Sequence, residues 1–468
     1  MFNKVLIANR GEIARRVIRT CKRLNIHTVA IYSEADAESL HVKDADEAFC
    51  VGKPPVAQSY LNIDRILEIA LESGAEAVHP GYGLLSENAN FAKRCTEAGL
   101  VFIGPSADVI ASMGSKLEAR KTMKAAGVPI VEGVEAPVKD VEEATDIAER
   151  LGYPIMLKAS AGGGGIGMQL VENAEELAKA FEGNQKRAQS FFGDGTMYME
   201  RFIANPHHVE VQIIADHQGN VVPLFERECS IQRRNQKVVE EAPSPFISQE
   251  TREKMLEASV KAAKHIGYVN AGTIEYLVDE DQNFYFLEMN TRLQVEHPVT
   301  EEITKLDLVE EQLKIAAKQP LTFTRESITK EGHAIEVRIY AENPSTFFPS
   351  PGTITTLELP TGEGIRHECG VESGSVVTPF YDPMISKLVV WGETREIACE
   401  RLAQALKAYK VEGIQTNIPM LLKTVTHEQF LKGYTTTKFV EQYYLPQLAE
   451  TKYQFSCIRA SIEGRIHD

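Results

Sequence analysis

The segment FYFLEMNTRLQVEHPVTE, residues 284–301, concentrates polar side chains that differ in chemistry. Within ten positions it carries Glu288, Asn290, Arg292, Gln294, Glu296 and His297. Carboxylate and amide oxygens bind hard divalent cations, a guanidinium binds anions, and a carboxylate can accept a proton. The segment therefore predicts a site that binds a metal ion and an anion and that supplies a base close to both.

The first part of this segment is typical of a β-strand. A second apparent strand, GTIEYLV (272–278), lies before it across the turn-forming DEDQN, which predicts an antiparallel pair. Because alternate strand residues share a face, Glu288 and Asn290 should point together, with Leu287 and Met289 in a core. With Glu275 from the neighbouring strand they suit Mg²⁺ bound beside nucleotide phosphates. The alternative is a solvated strand face on which the acids happen to align.

A glycine run follows another apparent strand. YPIMLKAS (153–160) leads into Gly162–Gly165 and then GMQLV, and Lys158 stands just upstream. Glycines let the backbone approach a ligand and direct N–H groups at it, so the run predicts a phosphate-binding loop. A flexible linker is the alternative, but apolar strands flank the run. No GxxxxGK[ST] motif is present, and Gly81-Tyr82-Gly83 is only a partial dinucleotide fingerprint.

Residues 227–243, RECSIQRRNQKVVEEAP, form a locally basic stretch in a chain of net charge −16. An anion site in an acidic protein would have this pattern. A salt-bridged surface is the alternative, because glutamates bracket the stretch. The basic residues are Arg227, Arg233, Arg234 and Lys237.

Length and composition bound the function. The 468 residues suggest about three domains at ~150 residues each. The acidic charge argues against a general nucleic-acid binder. Seven dispersed cysteines without a CxxC pair suggest no zinc site or disulfide framework and fit a reduced, cytoplasmic protein. No signal peptide or membrane span is expected. The tail contains Ile462-Glu463-Gly464-Arg465, a protease site common in expression vectors.

The order of elements predicts a mixed architecture. Over the first ~110 residues, short apolar runs alternate with amphipathic helices such as the one around residues 63–71, which predicts a parallel, doubly wound sheet. A second region, about 111–333, opens with MGSKLEARKTMKAAG, predicted as one helix. A third begins near Gly332 with HAIEVRIYAE, a strand with one polar face. The strands predicted for the first region are KVLIAN, HTVAIY, EAFCVG, EAVHP and VFIGP.

A set of motifs resembles biotin carboxylase, an ATP-grasp component of the biotin-dependent carboxylases, over about residues 1–446. The motifs are RGEIA (10–14), HPGYGLLSEN (79–88), KASAGGGGIGM (158–168), HHVEVQ (207–212), QRRNQKVVEEAP (232–243), GTIEYL (272–277), EMNTRLQVEHPVTE (288–301) and FFPSPG (347–352). The resemblance implies an α/β and α+β protein with the ATP-grasp fold. Its expected parts are an N-terminal Rossmann-like domain (1–113) with the parallel sheet, a central ATP-grasp domain (114–331) with a glycine-loop lid (about 131–203), a mixed C-terminal domain (332–446) and a tail (447–468).

The resemblance also implies roles for individual residues. The expected ATP-binding residues are Lys116, Lys158, Gly163, Gly164, Gly165, Glu200, Arg201, Ile203, His208, Gln232, Asn235 and Leu277. Glu275 and Glu288, with Asn290 beside them, would bind Mg²⁺ or Mn²⁺. Bicarbonate would lie on Lys237, Arg292, Gln294 and the backbone of Val295. Glu296 would be the base, Arg338 would face the biotin ureido oxygen, and Tyr82 would lie near the biotin ring. The chain departs from the family at Ile166, where a basic residue is usual, at Arg201 (often lysine) and at Asn235 (often histidine).

The implied activity is that of an ATP-dependent ligase that forms a C–N bond. It would carboxylate biotin with bicarbonate through carboxyphosphate. The expected partners are a separate biotin carboxyl carrier protein and a carboxyltransferase, and the expected assembly is a cytoplasmic homodimer without covalent biotin. The final acceptor stays open, because acetyl-CoA (as in fatty acid biosynthesis), other acyl-CoA and pyruvate systems share this component.

Two other functions fit part of the pattern. A different ATP-grasp ligase, joining a carboxylate to an amine or thiol, would share the glycine loop and the metal carboxylates but would not need biotin. A non-catalytic nucleotide-binding regulator would not need Glu296 beside Lys237. ATP hydrolysis stimulated by bicarbonate and biotin without an amine separates the first function from these two.

Overall fold

A computed structural model describes residues 1–161 and 167–448. The first region alternates strands and helices as predicted. Its strands are β1 (Lys4–Ile7), β2 (His27–Ser33), β3 (Glu47–Gly52), β4 (Ala77–His79) and β5 (Val101–Phe102). Its helices are α1 (Gly11–Arg23), α2 (Leu40–Asp44), α3 (Ile63–Glu72), α4 (Ala89–Glu97) and α5 (Ala107–Gly114).

The five strands form one parallel sheet, as the alternation of strands and helices predicted, and their order is β3-β2-β1-β4-β5. Apolar side chains cover both faces, as a parallel sheet requires. Helix α1 packs through Ile13 and Val17 against Val5 and Ile7 on one face, and α3 and α4 cover the other. The sheet is therefore doubly wound.

Neighbouring strands β1 and β4 lead to helices on opposite faces, and a crevice opens at their carboxyl ends. The Asn9 amide, just after β1, bridges this crevice by donating to the carbonyls of Pro80 and Tyr82, at 2.8 Å each. The loop that carries Tyr82 is thereby fixed to the start of α1.

The helix predicted from MGSKLEARKTMKAAG is two helices, so that prediction was wrong at Ser115. Ser115 has an extended backbone after α5, and its side chain accepts a hydrogen bond from the Glu118 N–H at the start of α6 (Lys116–Ala125). Serine favours this capping position over a helix interior. The break places Lys116 in the first turn of α6.

A small antiparallel sheet follows, with its own core. It consists of β6 (Ile155–Ala159), β7 (Met168–Val171) and β8 (Met197–Arg201) in the order β7-β6-β8, and it packs against α7 (Val141–Leu151) and α8 (Ala174–Phe192). The antiparallel pairing of β6 with β7 confirms the strands predicted on either side of the glycine run. The run itself, residues 162–166, lies outside the described residues.

The largest sheet has eight antiparallel strands in the order β13-β12-β9-β10-β11-β14-β19-β17. Its strands are β9 (His207–Ala215), β10 (Val221–Arg233), β11 (Gln236–Ala242), β12 (Asn270–Val278), β13 (Phe284–Asn290), β14 (His333–Tyr340), β17 (Ile365–Cys369) and β19 (Met384–Gly392). The helices beside it are α9 (Gln249–Ile266), α10 (His297–Thr304) and α11 (Leu308–Ala316).

The large sheet crosses the boundary predicted at 331/332, because β11 pairs with β14. In this ladder Glu240 lies opposite Glu336. The polar face predicted for β14 exists, but it is interior: Glu336 has no exposed surface, and Tyr340 is 3% exposed. The apolar face, with Ile335 and Val337, packs into the C-terminal core.

Short strands and helices complete the C-terminal part: β15 (Gly352–Thr353), β16 (Thr356–Glu358), β18 (Val376–Val377), α12 (Arg395–Ala408), β20 (Lys410–Glu412), α13 (Ile418–Val425) and α14 (Glu428–Leu431). A π-helical turn, Val440–Tyr444, follows them. Among the described residues, no helix combines the length and apolar character needed to cross a membrane.

Candidate active site

A cavity of ≈ 560 Å³ lies between the small sheet and the large sheet. Most of the predicted site residues line it: Lys116, Lys158, Glu200, Arg201, Ile203, His208, Gln232, Asn235, Lys237, Glu275, Leu277, Glu288, Asn290, Arg292, Gln294, Val295, Glu296 and Arg338. Gly163, Gly164 and Gly165 fall outside the described residues. Tyr82 is described and does not line this cavity.

The hairpin of β12 and β13 places the acidic residues. The predicted antiparallel pair is confirmed, and Glu275 lies directly opposite Glu288. The ladder then shifts, so that Tyr276 lies opposite Phe286 and Leu287 is an extra residue. Such a β-bulge turns two successive side chains to similar directions. Leu287 therefore lines the cavity with Glu288, and its predicted place in the core was wrong.

The carboxylates of Glu275 and Glu288 fit a divalent cation. Glu288 has no hydrogen-bond or ion-pair partner within the described parts of the chain, and burial together with the negative Glu275 raises its pKa. Asn290 lies beside them, with its amide nitrogen 2.7 Å from Glu275 Oε1. Oxygen donors of this kind suit Mg²⁺ or Mn²⁺, and a cation would relieve the repulsion between the two acids.

Lys237 lies at the centre of the charged cluster. Its Nζ contacts Glu210 Oε2 at 2.6 Å, Glu275 Oε1 at 2.8 Å and Glu296 Oε1 at 2.8 Å. Burial opposes the charge of this ammonium, but the three carboxylates hold its pKa well above the usual value. Lys237 is therefore cationic, and it lines the cavity.

Glu296 lies between two cations. Lys237 contacts one carboxylate oxygen, and Arg338 donates to the other at 3.0 Å. Burial opposes ionisation, but Lys237 and Arg338 hold the pKa of Glu296 well below the ordinary range. Arg338 also donates to Glu240 at 2.6 Å, and burial raises the pKa of Glu240 to about 7. Glu296 is thus ionised at neutral pH and able to accept a proton.

The turn between β13 and α10 carries the remaining predicted anion ligands. Gln294 Nε2 donates to Glu275 Oε1 at 2.8 Å, and the Gln294 carbonyl accepts from the backbone of His297 at 3.3 Å. Arg292 Nε donates to Glu87 at 3.0 Å, and another of its nitrogens donates to Asn290 Oδ1 at 3.1 Å. These contacts hold the guanidinium beside Asn290, which in turn contacts Glu275.

At the other end of the cavity the lysines differ in their contacts. Lys158 forms an ion pair with Glu200, which Arg120 also contacts at 2.8 Å. Lys116 has no side-chain partner within residues 1–161 and 167–448, and burial lowers its pKa although Glu288 raises it. An ammonium without a partner, near a cation site, is suited to a phosphate. The apolar side chains that line the same cavity are Met156, Ile203, Leu277 and Leu287.

Sequence reasoning missed the residues directly behind the site. Glu210, one of the three partners of Lys237, is fully buried and also accepts from Arg227 Nε at 2.6 Å. Arg227 in turn donates to Gln294 Oε1 at 2.5 Å. Strand alternation in HHVEVQ places His208, Glu210 and Gln212 on one face, so the signal was present.

The basic stretch 227–243 is not a single anion site. Of its four basic residues only Lys237 lines the cavity. Arg227 is buried behind it, Arg233 pairs with Glu342 at 2.5 Å, and Arg234 donates to the Thr346 carbonyl at 2.8 Å. The stretch thus combines one basic cavity residue with arginines that make structural contacts elsewhere.

The assembled groups fit one kind of chemistry. Lys116 and the carboxylates of Glu275 and Glu288 suit a polyphosphate with its divalent cation. Lys237 and Arg292 suit a small anion beside it, and ionised Glu296 can take a proton from that anion. The cavity can therefore bring a phosphate donor and an activated anionic nucleophile together.

Family models match three consecutive parts of the chain. Residues 1–110 match "Biotin carboxylase, N-terminal domain", residues 115–324 match "Carbamoyl-phosphate synthase L chain, ATP binding domain", and residues 336–442 match "Biotin carboxylase C-terminal domain".

Characterised proteins are similar over nearly the whole chain. Biotin carboxylase of Halalkalibacterium halodurans is 65% identical over 440 residues, which cover 94% of this chain and 97% of that one. Biotin carboxylase 2 of Bacillus subtilis is 62% identical, covering 95% and 100%. A crystal structure of the biotin carboxylase domain dimer of Hydrogenobacter thermophilus 2-oxoglutarate carboxylase, with MgADP, ADP and bicarbonate, is 51% identical. It has a TM-score of 0.92 and covers 94% of this chain and 98% of that chain.

Proposed function

We infer the chemistry of this cavity from the premise that the chain belongs to the biotin carboxylase family and has its ATP-grasp fold. The protein is an ATP-dependent ligase that carboxylates biotin with bicarbonate. The roles of its individual residues form the proposal. One observation carries them: Glu296 is held ionised between Lys237 and Arg338, beside the carboxylates of Glu275 and Glu288.

ATP binding is assigned to the end of the cavity with Lys116 and Lys158. Their ammonium groups would contact the phosphates, and Ile203, Leu277 and Leu287 offer apolar surface for the adenine. Glu275 and Glu288 would hold Mg²⁺ or Mn²⁺, which neutralises phosphate charge when it is bound. The remaining predicted ATP ligands on this surface are Glu200, Arg201, His208, Gln232 and Asn235.

Bicarbonate activation is assigned to the turn before α10. Lys237 and Arg292 would hold the anion, and the Val295 backbone and Gln294 would orient it. Glu296 takes the bicarbonate proton, and the resulting oxyanion attacks the γ-phosphorus of ATP, forming a P–O bond as ADP leaves. The product is carboxyphosphate. An enclosed cavity protects such a labile species from water.

The second half-reaction involves Arg338. Carboxyphosphate breaks down to CO₂ and phosphate, and the phosphate takes the ureido N–H proton of biotin. The nitrogen then forms a C–N bond to CO₂, while Arg338 stabilises the negative charge on the ureido oxygen. Glu240 also accepts a hydrogen bond from Arg338 and so helps to hold the guanidinium beside Glu296.

The biological setting is also part of the proposal. A separate biotin carboxyl carrier protein would deliver biotin, a carboxyltransferase would use carboxybiotin, and the chain would form a homodimer like the relative from Hydrogenobacter thermophilus. A cytoplasmic location is supported by six free cysteines among the described residues.

The test measures ATP cleavage by the purified chain with free biotin. We expect phosphate release that requires bicarbonate, and carboxybiotin formation, without any added amine or thiol. Cleavage that instead requires an amine or thiol would identify another ATP-grasp ligase, and binding of ATP without cleavage would identify a regulator.

A further inference from the structure

A buried lysine outside the cavity holds the bicarbonate turn from behind. Lys387 of β19 has no exposed surface, and its Nζ donates to the Val295 carbonyl at 2.7 Å. It does not line the cavity. The carbonyl of Gln294 is also occupied, by the ring of His297 at 2.7 Å. Both peptide groups that precede Glu296 are therefore fixed in direction.

The same lysine reaches the N-terminal sheet. Its Nζ lies 3.3 Å from Glu12 Oε2 in the first turn of α1, and Glu12 is 5% exposed. The other oxygen of Glu12 accepts a hydrogen bond from the Tyr82 hydroxyl. The ammonium also lies 5.8 Å from the centre of the Tyr82 ring. Tyr82, Glu12, Lys387 and the Val295 carbonyl thus form one continuous chain of contacts, in which Glu12 and Lys387 are buried.

This chain joins the two places at which the substrates are expected. Val295 lies on the bicarbonate side, and Tyr82 lies in the crevice after β4 on the biotin side. Burying an ammonium and a carboxylate is costly, and apolar residues of similar size often stabilise a fold as well or better. A purely structural link would not need charged groups that end on a carbonyl in the active-site turn and on a tyrosine hydroxyl.

We propose that Lys387 and Glu12 are positioning residues that fix the Val295 turn relative to Tyr82 and so couple bicarbonate activation to the carboxylation of biotin. This inference rests on the proposed function. Neither residue touches the reacting atoms. Loss of the link should allow carboxyphosphate to form while biotin is out of place, so that ATP is cleaved without carboxybiotin.

The test measures phosphate and carboxybiotin in the same reaction, together with KM for bicarbonate and Tm. Lys387→Met releases the Val295 carbonyl, so we expect KM for bicarbonate to rise about tenfold, as is typical for outer-shell partners. We also expect a several-fold higher ratio of phosphate to carboxybiotin. Glu12→Gln keeps an acceptor for the Tyr82 hydroxyl and leaves Lys387 in contact with the Val295 carbonyl. It should therefore change KM for bicarbonate less than Lys387→Met does, while still raising the ratio of phosphate to carboxybiotin.

The double variant Glu12→Gln/Lys387→Met separates positioning from stability. It removes both charges together, so Tm should recover relative to Lys387→Met, while the ratio of phosphate to carboxybiotin stays high. Recovery of that ratio together with Tm would overturn the proposal. If Lys387→Met does not fold, the charge-neutral double variant gives the same readout.

A matched control breaks another buried link of α1. Arg16 pairs with Glu301 at 2.5 Å and Asp307 at 2.8 Å, away from the cavity. Arg16→Met should lower Tm and leave the product ratio unchanged. An equal rise of the ratio in this variant, or parallel loss of both products in Lys387→Met, would overturn the inference. A wild-type protein without bicarbonate-dependent ATP cleavage would instead overturn the proposed function.

Discussion

Arg338 and Lys237 contact the two oxygens of Glu296, but the proposed mechanism assigns them to different half-reactions. Glu296→Ala removes the base, so both bicarbonate-dependent ATP cleavage and carboxybiotin formation should be lost. Arg338→Gln removes a donor to the ureido oxygen, so carboxybiotin formation should fall by ~10²–10³. Measurable bicarbonate-dependent ATP cleavage should remain. Phosphate and carboxybiotin assayed in one reaction check this prediction.

The ion pair between Arg338 and Glu296 suggests an alternative role for Arg338, namely to hold Glu296 in place. If Arg338 only orders Glu296, both activities of Arg338→Gln should fall in parallel. Arg252→Gln is the control, because Arg252 is a buried arginine that pairs with Glu226 at 2.8 Å and does not line the cavity. It should leave the ratio of the two products unchanged.

Glu336 gives a prediction about pH. Both of its oxygens are buried without a hydrogen-bond partner within the described residues. Burial raises its pKa well above the usual value, and Lys387 only partly offsets this. The folded protein therefore keeps a proton that the unfolded chain loses above about pH 4.3, so stability falls as pH rises from there towards the folded pKa. Between about pH 5 and about pH 8, the Tm of the Glu336→Gln variant should therefore fall less than the Tm of the wild-type protein.

Glu368 is the control of opposite sign. Burial opposes its charge, but its contacts with Arg19 and Arg366 lower its pKa to about 2. The contribution of ionised Glu368 to folding stability is present above its pKa in the unfolded chain, about 4.3. This contribution is lost as the pH falls from there to about 2. Glu368→Gln should therefore cost stability at neutral pH and less in acid. If Glu336→Gln follows the pH dependence of the wild type, Glu336 is not the protonated acid.

Residues that line the cavity could be predicted from the sequence more readily than the buried residues that hold them in place. Glu275, Glu288 and Glu296 could be predicted because strand alternation and the family motifs mark them. Lys387 and Glu12 could not, because their contacts join strands and helices that are distant in the sequence. A lysine in the apolar run ISKLVVWG looks like any half-exposed strand residue until the sheet order places it behind Val295.

Among the elements, the bulge in β13 is open to a test. Leu287 lines the cavity because of this extra residue. Truncation to alanine should weaken ATP binding, and we expect KM for ATP to rise about tenfold, as for other apolar groups lost from a binding pocket. Steady-state kinetics at saturating bicarbonate measure this value.

Leu357→Ala is the matched control, since Leu357 is a partly buried leucine of β16 that packs against the C-terminal core. It should lower Tm with an unchanged KM for ATP. An unchanged KM in Leu287→Ala as well would place the adenine elsewhere.

The elements themselves followed largely from local signals. Alternation of apolar runs with amphipathic helices predicted the parallel sheet, and the DEDQN turn predicted the hairpin of β12 and β13. The bulge was not predicted because a two-residue period contains no sign of an inserted residue. The break at Ser115 was missed because helical residues lie on both sides of it.

For the whole molecule, we expect that the purified chain carries no covalent biotin. No Met-Lys-Met biotinylation motif occurs in the printed sequence. A streptavidin blot of the 52.0 kDa chain should therefore be negative, with a biotinylated carrier protein as the positive control. A signal at that mass would mean that this chain supplies its own biotin.

The ladder between β11 and β14 has a consequence for synthesis on the ribosome. β11 is synthesised well before β14, so the edge of the large sheet formed by β11 has unpaired N–H and C=O groups until β14 is made. Unpaired edges recruit other chains, and larger proteins aggregate through such incomplete states. The nascent chain is therefore prone to misassembly until residues 333–340 have been synthesised. A shortened protein that ends at the predicted boundary at residue 331 would lack β14, so the edge of β11 would stay unpaired.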